Sequence, residues 1–284
     1  MQGGGRQPPF FYLLKEEVFP GPKNLLYIFV RRLAMKDYLV DAVILKSART
    51  READRVLTLF TRQVGKIRAM AHGVEKPASR KRGAVQPFSY SRLLLRRGRD
   101  IDSVSQGEGV EIFPALRQTL DGLARASYVA EMADAFTVEE DPNTGVFELL
   151  LATFNMLGRG CDPIAARAFD IKLMSLVGYR PGLECCTVCG APGGERLWFV
   201  PGQGGVVCAE CSPESGRGIE IKRGSLETLK ALLRWDMGRI HQIRPDPRTG
   251  SEIAAVMKKF VEYQLEKCIK SARFLELVEK GFSS

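Results

Sequence analysis

Two cysteine pairs, Cys186-x2-Cys189 and Cys208-x2-Cys211, lie 18 residues apart. Thiolates are soft ligands, and two C-x2-C knuckles at this separation match the tetrahedral demands of a zinc ribbon. Gly190 directly follows the first knuckle, where the chain must turn tightly around an ion, and Gly204 and Gly205 precede the second. Four thiolates complete the tetrahedron and leave no open position for water or substrate. The expected cofactor is therefore one structural Zn²⁺ ion, not a catalytic one. Disulfide pairing explains the spacing less well, since the sequence shows no secretory signal. Cys185, adjacent to Cys186, is an alternative ligand through a C-x3-C pairing. Cys161 and Cys268 read as buried, small apolar side chains.

The remaining residue types argue against an enzyme. No phosphate-binding glycine loop, dinucleotide fingerprint, metalloprotease helix or nucleophile elbow occurs, and acidic side chains are scattered with no pair marked for acid–base work. His72 stands beside Gly73 in a basic segment, within reach of a phosphate, while His241 precedes the Pro245/Pro247 loop and reads as structural. The chemistry on offer is binding.

Charge placement indicates what is bound. The net charge is +9, and residues 35–110 contribute +8 of it, against −4 for residues 111–180. Residues 62–99 hold eleven basic side chains and one acid, Glu75. Cations concentrated in this way suit a phosphate backbone, where each neutralised phosphate releases condensed counterions. The candidate nucleic-acid contacts are Arg68, Lys76, Arg80, Lys81, Arg82, Arg92, Arg96, Arg97 and Arg99. Phe88 and Tyr90 stand two apart, positioned either to stack on bases or to fill a core.

The elements that must carry these residues change character along the chain. Residues 1–34 are punctuated by Gly and Pro, lack a sustained period and are read as an N-terminal extension. From Tyr38 to about Glu108 the pattern is β, with strands expected at Leu39–Lys46, Arg55–Thr61, Lys66–Ala71, Val85–Arg97 and Ile101–Gln106. Five short strands at this density predict a small closed barrel, an OB-fold being the commonest that binds nucleic acid, with an SH3-like barrel as the alternative. Between the third and fourth strands lies the loop Glu75–Gly83, which carries Arg80-Lys81-Arg82. Beyond Phe113 the period is helical: Leu116 to Phe136, Thr144–Leu157, a helix capped by Asp162 and running to Val177, Ser225–Trp235 and Ser251–Glu279. The expected architecture is α+β and multidomain. An OB-fold domain over 35–110 precedes an α-helical domain over 111–284, into which a four-cysteine zinc module is inserted at about 183–215. The longest apolar run, Leu25–Val30, is too short for a bilayer span. A cytoplasmic, nucleoid-associated protein is expected.

Several segments, in this order, resemble one family. They are Ala42-Val43-Ile44-Leu45-Lys46, Glu52-Ala53-Asp54-Arg55 leading into Leu57-Thr58-Leu59-Phe60-Thr61, Val64-Gly65-Lys66-Ile67 and Gln86-Pro87-Phe88. Phe169-Asp170-Ile171-Lys172-Leu173-Met174 and Gly178-Tyr179-Arg180-Pro181 follow, just before the first cysteine pair. Each is weak alone. Together they resemble the RecO recombination mediators of bacterial DNA repair, over residues 41–221. The resemblance implies an OB-fold that binds single- and double-stranded DNA, annealing of complementary strands, and assistance to RecA on DNA coated with single-strand-binding protein. Its implied partners are RecR, in some lineages RecF, and the acidic C-terminal tail of single-strand-binding protein. Some members lack the cysteines, so the zinc expectation rests on this sequence's own ligands. The competing class is an RNA-binding OB-fold protein with a zinc ribbon. A metal-dependent nuclease is disfavoured by the missing carboxylate cluster.

Overall fold

The computed structural model describes residues 36–51, 53–160, 163–192, 194, 196–212, 218–265, 268–279 and 281. The N-terminal extension, Cys161 and Asp162 lie outside these residues.

Five strands form a closed barrel: β1 (Asp37–Arg51), β2 (Asp54–Thr61), β3 (Gly65–Ala71), β4 (Tyr90–Arg96) and β5 (Asp102–Glu111), in the order β1-β2-β3-β5-β4. All pairings are antiparallel except β3 with β5, which closes the barrel in parallel. This is the five-stranded OB-fold. The alternation of each strand sends Val40, Ala42, Ile44, Leu57, Leu59, Ile67, Ala69, Leu93 and Leu95 into the barrel core.

Three strand boundaries differ from the sequence pattern. β1 runs on to Arg51 because its polar second half still pairs with β2, across register shifts after Ile44 and Arg49. β5 extends to Glu111 through a glycine-bearing tail that pairs with β4. β4 starts at Tyr90 and not at Val85, because Phe88 takes a left-handed backbone (φ 65°) that turns the chain. That turn drives the Phe88 ring out of the barrel and against Phe154, with centroids 5.8 Å apart.

The helical part comprises α1 (Ala115–Gln118), α2 (Leu120–Phe136), α3 (Thr144–Arg159), α4 (Pro163–Leu176), α5 (Arg223–Arg234), α6 (Pro247–Leu265) and α7 (Lys270–Glu279). Thr119 is extended and caps α2, accepting a hydrogen bond from the Gly122 N–H, so the expected first helix is broken there. Leu120 and Leu123 are exposed. The expected long C-terminal helix is two helices: α7 folds back on α2, and Glu131 accepts hydrogen bonds from the Lys270 and Ser271 N–H groups at its start. Cys268, between the two, is exposed.

Barrel and helices share one apolar core. Val43, Leu45, Phe60 and Phe88 leave the barrel to pack with Phe147, Leu150 and Phe154 of the helical part. Tyr90 meets Phe147 edge-on. Around this core, Arg62 pairs with Glu148, and Lys66 with Asp134 at 3.1 Å. The β2–β3 turn lies so close to Asp141 that a Cβ on Gly65 (φ 79°) would overlap its backbone. Side-chain volume and backbone contact together fix which faces of the barrel are covered.

Candidate metal centre and nucleic-acid interface

The cysteines are delivered by a small sheet, β6 (Leu197–Val200), β7 (Gly205–Cys208) and β8 (Ile219–Ile221), in the order β7-β6-β8. Its two faces do different work. Leu197, Phe199, Val206 and Ile221 join the helical core, and Phe199 meets Phe260 edge-on at 5.4 Å. Val200 and Val207 face the other way and pack with Cys186, beside Trp198, Cys208 and Cys211. The module is thus half-anchored by apolar packing before any ion is considered.

Both knuckles have the tight turns their spacing demands. The Gly190 N–H donates to the Cys186 carbonyl at 2.9 Å, with Gly190 left-handed (φ 73°), and the Cys211 N–H donates to the Cys208 carbonyl at 3.2 Å. The first loop is pinned to β7, where Thr187 N–H donates to the Val206 carbonyl at 2.9 Å. The four sulfurs of Cys186, Cys189, Cys208 and Cys211 all lie within 4.8 Å of one another, and those of Cys189 and Cys208 are 3.7 Å apart. A tetrahedral site with metal–sulfur bonds of about 2.3 Å has sulfur–sulfur edges of about 3.8 Å. The cluster has the size to hold a metal ion. Cys185 bridges Pro192 through its backbone and stays outside the group, which separates it from Cys186.

Electrostatics point the same way. The N–H groups of Cys189, Cys208 and Val188 lower the Cys186 thiol to about 6 against the opposing effect of burial. The neighbouring sulfurs of Cys189 and Cys208 push Cys211 up to about 12. Cys189 is also raised, its contacts with Cys186 and Cys208 outweighing the N–H of Ala191. Four thiolates cannot share so small a volume without a compensating cation.

On the barrel, the structure sorts the candidate cations. Arg92 and Arg96 point outward from β4 and meet carboxylates across the β1–β4 ladder, Asp41 at 3.4 Å and Asp37 at 2.9 Å. Lys81 donates to the Val104 carbonyl at 3.0 Å, and Arg82 to the Glu75 carbonyl at 2.7 Å, so two members of the loop cluster tie the loop down. Glu75 is held by Arg55, with Arg49 at 3.5 Å, and these guanidinium groups lower its carboxyl below the usual range. Arg97 lies over the Tyr38 ring at 5.6 Å. Arg68, Lys76, Arg80 and Arg99 are exposed. His72 is oriented by Asp54, Nδ1 to carboxylate at 2.9 Å. His241 is exposed on a trough beside α3, not structural.

One cation escaped the sequence reading. Lys46 on β1 pairs with Thr58 on β2, which pairs with Arg68 on β3, and all three point away from the barrel core. The row spans two strand spacings, about 10 Å. It lies beyond the row Val43–Phe60–Lys66, which the helices cover. The signal was available in the alternation of β1, but the register shift at Ile44/Lys46 hides it. Phe88 and Tyr90 are absent from this face. They pack under α3, which removes them as base-stacking residues and places them outside the barrel core as well.

Two family profiles cover the chain in succession: "Recombination protein O N terminal" over residues 35–113 and "Recombination protein O C terminal" over residues 117–273. The chain is 46% identical over 242 residues to the DNA repair protein RecO of Pelotomaculum thermopropionicum, covering 85% of this chain and 94% of that protein. It is 40% identical to the RecO proteins of Desulforamulus reducens (87% of this chain, 97% of that protein) and Desulforudis audaxviator (88% and 100%). Among the described residues no helix is long and apolar enough to cross a membrane. With an OB barrel joined to a helical part bearing a cysteine cluster, and with both profiles matched in order, the chain belongs to the RecO family of DNA repair proteins.

Proposed function

We propose that the chain is a non-enzymatic recombination mediator. It binds single- and double-stranded DNA through the barrel, anneals complementary strands and assists RecA on DNA coated with single-strand-binding protein. The observation that carries this reading is the row Lys46–Thr58–Arg68 on a barrel face turned away from the helices, with Lys76, Arg80 and Arg99 also exposed on the barrel's loops. Cations on a rigid surface lower the mutual repulsion of two strands and speed their pairing without bond chemistry. In this reading residues 35–110 hold DNA in the cytoplasmic nucleoid and residues 111–284 receive RecR and, in some lineages, RecF. The trough of about 920 Å³ along α3 suits the acidic tail of single-strand-binding protein. Leu151, Ala152 and Met156 offer it an apolar floor, and Arg159, His241 and Arg244 a basic rim. The trough's two carboxylates, Glu111 and Glu148, are engaged by Asn155 and Arg62.

The metal in this reading is one Zn²⁺ held by Cys186, Cys189, Cys208 and Cys211. When bound, it supplies a cross-link between the two knuckles and no reactive position. The test is annealing of two complementary labelled strands precoated with the cognate single-strand-binding protein. Acceleration without strand cleavage is expected. Tight binding to bare strands with no acceleration would reduce the chain to a generic binder.

A further inference from the structure

The pairing of Arg96 with Asp37 and of Arg92 with Asp41 has a consequence for ligand affinity. Both arginines stand on the outer face of β4, with side chains 62% and 50% exposed, and both carboxylates come from β1, where the register sets Asp37 opposite Arg96 and Asp41 opposite Arg92. Asp37 grips its arginine with both oxygens, Nε to Oδ1 at 2.9 Å and a terminal nitrogen to Oδ2 at 3.3 Å. Asp41 is fixed from other sides too, accepting from the Gln63 amide at 3.1 Å and the Tyr90 hydroxyl at 3.2 Å. A bidentate carboxylate occupies the fork with which a guanidinium would hold a phosphate. Among the described residues, the ladder positions of the Lys46–Thr58–Arg68 row hold no acid.

We propose that Asp37 and Asp41 are built-in competitors of the DNA phosphates. They hold Arg96 and Arg92 out of the resting interface and set the affinity of the barrel for a strand. A phosphodiester meets either arginine with its charge already compensated by a carboxylate, and at Arg96 with the Nε edge of the fork occupied, so these two arginines add little to equilibrium affinity while the acids remain. The effect is to keep binding weak enough for an annealed product to leave. This rests on the DNA-binding reading of the barrel.

The assay is binding of a fluorescent single-stranded oligonucleotide to the full chain across a salt series. Asp37→Asn is expected to tighten binding roughly two- to fivefold at low salt, the range of an exposed ion pair. It should also steepen the salt dependence by about 0.7 per arginine released, the single-strand increment. Arg96→Ala alone is expected to change little, and Asp37→Asn with Arg96→Ala to lose the gain. Glu220→Gln makes the same change in net charge beside Arg196, far from the barrel, and should leave affinity within about twofold. Asp41→Asn is judged only with its unfolding midpoint, because Asp41 also holds Gln63 and Tyr90. If the wild-type chain binds and Asp37→Asn binds no tighter, or if Glu220→Gln gains equally, the proposal is overturned. A wild-type chain that does not bind DNA overturns the underlying reading instead.

Discussion

Acidification should strip the metal from the cysteine cluster far more steeply than one thiol can explain. Cys186, lowered to about 6 by the N–H groups of its knuckle, is largely ionised at neutral pH. Cys189 is raised, and Cys211 stands at about 12 because neighbouring sulfurs crowd it, so both keep their protons when no ion is present. An ion that takes all four sulfurs as thiolates must expel at least those two protons. The loaded form therefore binds fewer protons than the free form, and affinity rises with pH and falls as pH is lowered. Two or more protons released per ion give a slope of at least about two in log affinity per pH unit, or at least about a hundredfold between pH 7 and 8. Below about 6 Cys186 also gains a proton, and the slope rises by about one more. Competition with a chromophoric zinc chelator over this range measures the slope, and an indicator dye in weak buffer counts released protons at pH 7. A slope of one or less, or fewer than one proton released per ion, would refute the reasoning. It would mean that the backbone N–H groups and not the ion already hold the thiolates.

Other perturbations test the remaining parts. Lys46→Ala with Arg68→Ala should weaken single-strand binding and reduce the salt slope by about 1.4, the sum of two phosphate contacts; an unchanged slope would move the interface off this face. Lys81→Ala and Arg82→Ala, whose side chains donate to the Val104 and Glu75 carbonyls, should leave the slope nearly intact but lower the unfolding midpoint. Phe154→Ala removes a fully buried ring that touches both Phe88 and Phe113, and should cost about 3–5 kcal/mol in denaturant unfolding, with barrel and helices losing structure together. Gly65→Ala forces a side chain into the Asp141 backbone at a left-handed position, and should destabilise by more than about 1 kcal/mol; a neutral result would show that the domain contact is loose.

What could be read from the sequence divides along a physical line. The convergence of the four cysteines was legible because knuckle geometry is local: cysteine pairs at fixed spacing need only short turns to meet. Barrel and helices were legible as pattern, since strand alternation and the helical period are also local properties. The misplaced boundaries arose where tertiary contact overrides them. Phe88 leaves its strand to pack under α3, and α7 lies against α2 although no Gly or Pro stands between Leu265 and Lys270 in the sequence. The segment Phe169–Met174, part of the family likeness, is mostly core, with the buried Asp170 accepting from Arg167 at 3.0 Å. In this chain the segment serves the packing of α4.

Long-range pairing is the part no local pattern reveals, and it decides what the basic segment does. Four of its eleven cations, Arg62, Lys66, Arg92 and Arg96, meet acids from outside the segment, at Glu148, Asp134, Asp41 and Asp37. Two of those acids, Glu148 and Asp134, belong to the acidic helical region, so part of the charge asymmetry between the domains is consumed at their junction. The junction combines these ion pairs with the apolar contacts of Phe60, Phe88 and Phe147, and the buried rings carry most of its stability. The cations left facing water are those on the side the helices cannot reach. In the proposed reading, the same charge separation leaves, by exclusion, the face on which a phosphate backbone would lie.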